Sequence, residues 1–425
     1  MSLSETIPSR SDALLRAHWQ DRYAEVRSQS ERLCAPLQTE DYVIQTMPNV
    51  SPPKWHLAHV TWFFETFLLK PFSAGYREYA PEYAYLFNSY YQAVGDPYPR
   101  DRRGLLSRPG VEEIYRYRRH VDEAMQELIT TVADGPEWEQ VALRLMLGIQ
   151  HEQQHQELLL TDIKHIFAMN PLRPRYAPVR LKESGSTLPL RWLPYAGGIH
   201  EIGHAGDEFH FDNEAPRHQA LLQDYALGNR LVTNGEFLEF MEQDGYAKAD
   251  LWLADGWNTV RREGWDAPLY WEKQGGSWHV MTLSGMQRVN PDEPVCHVSY
   301  YEADAYARWV GARLPSETEL EYALAQAAVE GNFVESGCYH PQPAHGEQTQ
   351  LYGDVWEWTH SSYSAYPGYR PLAGALGEYN GKFMCNQFVL RGGSCATPHS
   401  HMRATYRNFF MPADRWQFTG IRLAA

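Results

Sequence analysis

Cysteine is scarce in this chain. There are five in 425 residues (Cys34, Cys296, Cys338, Cys385 and Cys395), an odd number with no CxxC spacing, and that pattern excludes a disulfide framework and a structural zinc ribbon. Long apolar runs are missing as well. None approaches the length that spans a bilayer, and Met1-Ser2-Leu3-Ser4-Glu5 has no basic segment leading into an apolar core. The expectation is a soluble cytoplasmic protein without a membrane partner, which counts against a secreted protease. Basic charge is in deficit, with 38 Lys and Arg against 53 Asp and Glu and a net charge of −15. A nucleic-acid partner is therefore disfavoured. The length exceeds one ordinary core and predicts two domains, each with its own interior.

What the chain has in quantity is aromatic residues: 14 Trp, 27 Tyr and 16 Phe. Such rings fill cores in folds poor in regular structure and also line pockets for cationic ligands, and composition alone does not choose between these uses.

The first part reads as helix. From Asp12 to about Cys34, Leu15, Trp19, Tyr23, Val26 and Leu33 recur at helical spacing. After the Pro-rich entry Met47 to Pro53, Lys54 to Leu69 reads as a second helix carrying His56, His59, Phe63 and Phe67 on one face. A looser tyrosine-rich stretch, Tyr76 to Tyr98, precedes two further helices, Val111 to Val132 and Glu137 to about Ala168, separated by Asp134-Gly135-Pro136. Four helices of this length predict a four-helix bundle, an architecture that builds metal sites from facing helices.

His151-Glu152-Gln153-Gln154-His155 lies in the last of these. Histidines at i and i+4 project from one helical face and can converge on one ion. The string also fits the zinc-protease pattern His-Glu-x-x-His, with the glutamate as general base. The metzincin extension is excluded, because Thr161 stands where its third histidine would fall. A third ligand can come from the second helix. His59 is favoured, because a strongly apolar turn follows it, and His56 is the rival. Three neutral histidines leave half an octahedron open, which suits iron(II) binding O2 together with an anionic substrate such as a thiolate. Zinc with one bound water is the competing chemistry.

Beyond Asn170-Pro171-Leu172-Arg173-Pro174-Arg175 helical periodicity fades, and the domain boundary is placed near residue 180, giving domains 1–180 and 181–425. The second has short apolar runs, many turns, helices over Thr233 to Gln243 and Tyr300 to Gly311, and a short helix from Ser316 with Glu319 at the capping-box distance. It carries a series of motifs in order. Gly197-Gly198-Ile199-His200-Glu201-Ile202-Gly203, Asn213-Glu214-Ala215-Pro216-Arg217-His218 and Leu231-Val232-Thr233-Asn234-Gly235-Glu236-Phe237 come first. Pro294 to Tyr300, Arg313 to Ala323, Gly353-Asp354-Val355-Trp356-Glu357-Trp358, Arg391-Gly392-Gly393-Ser394 and Gly420-Ile421-Arg422 follow.

These motifs resemble the formylglycine-generating-enzyme/sulfatase-modifying domain, which implies an α+β, C-type-lectin-like fold with much irregular backbone. The paired active-site cysteines of that family would fall near Thr397 and Met402, so its thiol chemistry does not carry over, and Cys395 reads as a buried small residue. Joined to Trp55-His56-Leu57-Ala58-His59 and the His151 to His155 segment, the chain is similar to the ergothioneine-type sulfoxide synthases, with a DinB-like bundle in front. That resemblance covers nearly the whole chain. It implies an Fe(2+) centre on His59, His151 and His155. The implied reaction joins the sulfur of cysteine or γ-glutamylcysteine to the imidazole of hercynine (trimethylhistidine) and oxidises the thioether to a sulfoxide with O2.

By family position Gln154 would hold substrate polar groups, and Asn408, Phe409 and Phe410 would face the trimethylammonium end. The chain reads Arg407-Asn408-Phe409-Phe410 with Asp414 beyond, where relatives using γ-glutamylcysteine tend to read Arg-Asn-Trp-Asp and then an arginine. Free cysteine is therefore the expected donor, its carboxylate paired by Arg100 or Arg103. The proton donor is sought in Tyr90 or Tyr91, with Tyr366 and Tyr369 as candidates in the second domain. Glu152 would be structural. An ovothiol-type synthase, a zinc-dependent thiol transferase or hydrolase and a non-catalytic binding module are the alternatives; no Gly-rich nucleotide-binding segment of an attached methyltransferase is visible. Sequence leaves a homo-oligomer open.

Overall fold

Pro52 and Pro53 open the helix around which the first compact unit is built. Proline at the first helical position loses no intrahelical hydrogen bond and presets φ, and the helix Pro53–Phe64 that follows has all twelve residues buried. A helix buried on every side lies at the centre of a bundle, and its Lys54, His56, His59 and Thr61 are the polar groups it takes inside. The computed structural model describes residues 12–178, 188–345 and 350–425, and in it this helix packs against Val111–Thr131 and Pro136–Met169, while Asp12–Cys34 packs against the same two.

The sequence predicts one helix from Lys54 to Leu69. The structure instead passes from α-helix to a π-helical turn over Glu65–Leu69. The buried Glu65 carboxylate accepts hydrogen bonds from the Tyr76 hydroxyl (2.7 Å), the Tyr117 hydroxyl (2.7 Å) and the Tyr79 amide (3.1 Å). The tyrosine-rich loop is thus anchored on one carboxylate, which accounts for part of the aromatic excess. Gly148 sits one turn before His151, and a Cβ there would lie 2.5 Å from the Phe64 ring and 3.1 Å from Phe63. Only glycine lets the two histidine-bearing helices come this close.

Contacts divide the chain into two units. The first comprises residues 12–170 with Asp207–Phe209 and Leu372–Tyr379; the second comprises Pro171–Gly206, His210–Pro371 and Asn380–Ala425. The second is α+β, with short strands in small sheets. Its largest described sheet runs, in spatial order, Asn408–Phe410, Phe388–Arg391, Trp356–Ser362 and Thr419–Gly420, the last pair parallel. Three helices there start with reciprocal capping boxes, Thr233 with Glu236, Ser299 with Glu302 and Ser316 with Glu319, each satisfying two amide donors at once. One helix, Ala254–Glu263, goes beyond the sequence reading. Its Gly256 and its charged residues mask the helical period, and the glycine is needed because a Cβ would meet the Tyr301 ring at 2.9 Å.

The motif arginines of this unit are structural. Arg422 holds Glu357 through two 2.8 Å bonds, and Arg391 reaches Glu321 at 2.7 Å and Glu317 at 3.1 Å. Cys395 and Thr397 are fully buried. No described helix is long and apolar enough to cross a membrane.

Candidate metal centre

His59, His151 and His155 converge. One ring nitrogen from each lies within 4.8 Å of the others, the described set of three or more metal-ligating groups. His59 Nε2 and His151 Nε2 are 3.2 Å apart, and the ring centroids of His59 and His151 stand 4.7 Å from that of His155. The i and i+4 spacing of the fourth helix supplies two rings, and the buried second helix supplies the third.

The protonation of each ring follows from its surroundings. His59 Nδ1 lies 2.6 Å from the Phe87 carbonyl. A carbonyl only accepts, so Nδ1 carries the proton and Nε2 presents its lone pair to the centre. Burial lowers the His151 imidazole to about 3 and keeps it neutral. It lowers His59 and His155 as well, with neighbouring rings adding to the effect. Three neutral imidazoles converging on one point fit a divalent metal ion.

Glu152 takes no part in this face. Its fully buried carboxylate accepts from Arg27 (2.8 Å), Ser30 (2.6 Å) and Arg118 (3.3 Å). Burial would raise its pKa, but the two guanidiniums outweigh that and hold it below the ordinary value. It is committed to tying the helices together, and the zinc-protease reading lacks its general base.

His56, the rival ligand, has another position. Its Nδ1 meets His155 Nδ1 at 2.9 Å and its Nε2 meets Asp162 at 2.9 Å. Asp162 was legible in principle, because His151, His155 and Asp162 fall on one stripe of the helix.

Around the centre, Trp55 stacks on His59 at 4.6 Å and 11°. The Arg103 guanidinium lies 3.3 Å over the other partner of that stack, the Trp55 ring, and donates to Ser51 (2.9 Å) and Ser89 (3.1 Å). Among the described residues no carboxylate comes within ion-pair distance of this buried cation, although Asp162 acts on it from farther away. Arg100 is exposed and donates to the Asn49 carbonyl at 2.7 Å, so of the two candidates only Arg103 stands beside the histidines.

Tyrosine placement differs from the sequence expectation. Tyr379, at the end of the segment Leu372–Tyr379, lies with its ring 5.7 Å from His151 and its hydroxyl donating to Gln154 Oε1. Tyr90 stands behind it at 6.4 Å and stacks on Tyr91 at 4.6 Å. The Tyr91 ring in turn packs on Trp62 and Phe67. Burial first, then the Tyr90 and Tyr379 hydroxyls, push the Tyr91 phenol well above its ordinary value. Tyr379 is not among the tyrosines named from sequence. Glu378 beside it accepts the amides of Gln92 (3.0 Å) and Ala93 (2.8 Å).

The remaining candidates lie in the second unit. Asn408, Phe409 and Phe410 form an edge strand, with Phe409 stacked on Tyr363 at 4.0 Å and Phe410 against Trp416 at 5.6 Å. Tyr366 contacts Glu317, Glu321 and Arg391, and Tyr369 donates to Asp212 at 3.1 Å.

Comparison with known proteins agrees with both halves. Residues 22–159 match the DinB superfamily, and residues 192–349 and 337–425 match the sulfatase-modifying factor enzyme 1-like domain. The chain is 30% identical over 415 residues to the hercynine oxygenase of Mycolicibacterium smegmatis, covering 89% of this chain and 92% of that protein. It is 29% identical over 403 residues to that of Mycobacterium tuberculosis, covering 89% and 91%. Ergothioneine biosynthesis protein 1 of Schizosaccharomyces pombe is 25% identical over 229 residues, 51% of this chain and 27% of that protein. Two domain matches in the same order and similarity along nearly the full length of two relatives make the chain an oxygenase belonging to the ergothioneine-type sulfoxide synthase (hercynine oxygenase) family.

Proposed function

We propose that the protein is an iron(II)- and O2-dependent sulfoxide synthase that joins a thiol to hercynine. The convergence of His59, His151 and His155 carries this reading, together with the relatives' activity. The stoichiometry closes with no further reductant: thiol RS–H, imidazole C–H and O2 give the sulfoxide R–S(O)–C and one water. Two electrons come from forming the C–S bond and two from oxidising sulfur, matching the four taken up by O2. When bound, iron(II) on three neutral imidazoles supplies a centre for O2 activation with positions left for the substrates.

The chain's own residues supply orientation and protons. Arg103, buried with no ion-paired carboxylate among the described residues, gains a partner when the carboxylate of free cysteine binds, and the expectation of cysteine over γ-glutamylcysteine rests on it and on Phe410 and Asp414. Gln154 is assigned to the substrate's polar groups and accepts the hydrogen bond of the Tyr379 hydroxyl. Tyr379 holds that proton next to His151, and Tyr90 and Tyr91 form a second rank of phenols behind it. Asn408, Phe409 and Phe410 are assigned to the trimethylammonium end, a role aromatic faces suit.

Mass analysis of products from hercynine or histidine, each offered with cysteine or γ-glutamylcysteine under air, tests the assignment. The expected product is the hercynine–cysteine sulfoxide, formed faster than that from γ-glutamylcysteine. A product from histidine alone would instead indicate the ovothiol-type reaction, and zinc with no O2 uptake in anaerobically purified protein would indicate a thiol transferase or hydrolase.

A further inference from the structure

The three imidazoles are not supported alike on their outer sides. His59 Nδ1 rests on a neutral carbonyl, that of Phe87. His151 Nδ1 is buried and has no hydrogen-bond partner among the described residues. His155 Nδ1 faces His56 Nδ1 at 2.9 Å, and His56 Nε2 faces Asp162 Oδ2 at 2.9 Å. His56 and Asp162 are 4% and 3% exposed, so water does not dilute the contact between them, while the His56–His155 contact is part-buried.

One proton arrangement satisfies the whole row. The Asp162 carboxylate only accepts, and the same oxygen already accepts the Ser51 amide at 2.8 Å. His56 Nε2 therefore donates to it, and the Nδ1 of the neutral ring accepts. His155 Nδ1 must then donate, which leaves Nε2 as the bare nitrogen with which His155 can join His59 and His151. A doubly protonated His56 would force His155 Nδ1 to accept and its Nε2 to carry the proton, closing it to a metal. A carboxylate behind a ligating imidazole raises its basicity and fixes its orientation. Here the effect passes through an intervening ring. Glu152 cannot serve the same end, because Arg27, Arg118 and Ser30 hold its charge.

Resting on the reading of His59, His151 and His155 as metal ligands, we infer that Asp162 and His56 are positioning residues acting through His155. They select its ligating tautomer and lend it anionic character, so that it is the strongest donor in a centre of three unequal imidazoles.

Cobalt(II) added anaerobically to the full chain tests this without turnover, since its d–d bands report donor strength directly. Asp162→Asn keeps the volume and an acceptor for the Ser51 amide while removing the charge, and His56→Gln removes the intervening ring. Both are expected to bind cobalt(II) about 10–100-fold more weakly, with shifted bands and unchanged circular dichroism, and Asp162→Glu is expected to recover part of the affinity. Wild-type affinity and bands in both variants would overturn the inference. Should either variant fold poorly, 15N NMR of the zinc-loaded wild-type chain decides. A proton on His56 Nε2 alone and on His155 Nδ1 supports the relay, and a doubly protonated His56 or a bare His155 Nδ1 overturns it. His151→Ala separates the two levels. If it loses cobalt(II) while Asp162→Asn does not, the relay alone fails; if it binds like wild type, the metal centre itself is misassigned.

Discussion

At the scale of single residues, neighbours in sequence have opposite tasks. His151 turns to the ligand face, while Glu152 closes an ion-pair hub of Arg27 and Arg118 with no exposure to solvent. Removing one member of such a hub leaves buried charge uncompensated, at a cost of roughly 3–5 kcal/mol. Glu152→Gln is therefore expected to lower the unfolding free energy of the metal-free protein by that order, measured by urea unfolding. Its pH dependence has a definite sign. A carboxyl held below its ordinary 4.5 contributes stability that is present above that pH and is lost as pH falls through the lowered folded value, so the gap between wild type and variant should close in acid. The phenols give a second prediction. Tyr379→Phe keeps the ring beside His151 and deletes the hydroxyl held by Gln154. A positioned proton donor contributes about 10²–10⁴-fold, and Tyr379→Phe should reduce sulfoxide formation by that factor. The Tyr90→Phe, Tyr91→Phe double variant should cost less. The reverse ranking in product assays would move the donor role back to the tyrosines that the sequence favours.

Among elements, legibility followed from how local the determining physics is. Proline entries, glycine stops and capping boxes act within one turn, and the four long helices and the capped helices at Thr233, Ser299 and Ser316 are readable from them. The π turn at Glu65–Leu69 was not, because it depends on tyrosines more than ten residues away. Asp354, in a motif readable from sequence, shows the same limit. The motif is legible in sequence but not its environment: the structure shows the residue at φ 56°, 4% exposed, accepting from Asn332 Nδ2 (2.7 Å) and the Gln342 amide (2.8 Å). Burial raises its carboxyl from 3.8 to about 6. A raised carboxyl stabilises the fold while protonated, and that contribution is lost as pH rises through the window from 3.8 to about 6. Asp354→Asn keeps the acceptor, suits a left-handed backbone and removes the charge. It should stabilise the protein above that window by up to about 3 kcal/mol and change little below it, as read from thermal midpoints across pH.

For the whole molecule, the cluster of three histidines was legible and what stands around it was not. Two histidines at i and i+4, with a third on a buried helix, are short-range patterns within residues 12–170. Tyr379 joins the same compact unit from more than 200 positions beyond His151, and no periodicity or spacing links residues so far apart. A metal held by the proposed ligands would link that unit's stability to its concentration. A metal that binds the folded state alone adds RT ln(1 + [M]/Kd), about 4 kcal/mol at a thousand-fold excess over Kd. Anaerobic iron(II) should therefore raise the thermal midpoint, a chelator should reverse the rise, and His59→Ala should abolish both responses without removing the Glu152 hub. An iron-induced shift that persists in His59→Ala would place the metal on other residues. A shift absent from the wild-type chain would mean that the three imidazoles meet for packing alone, because a centre assembled from two separate helices cannot bind its ion tightly without stabilising their contact.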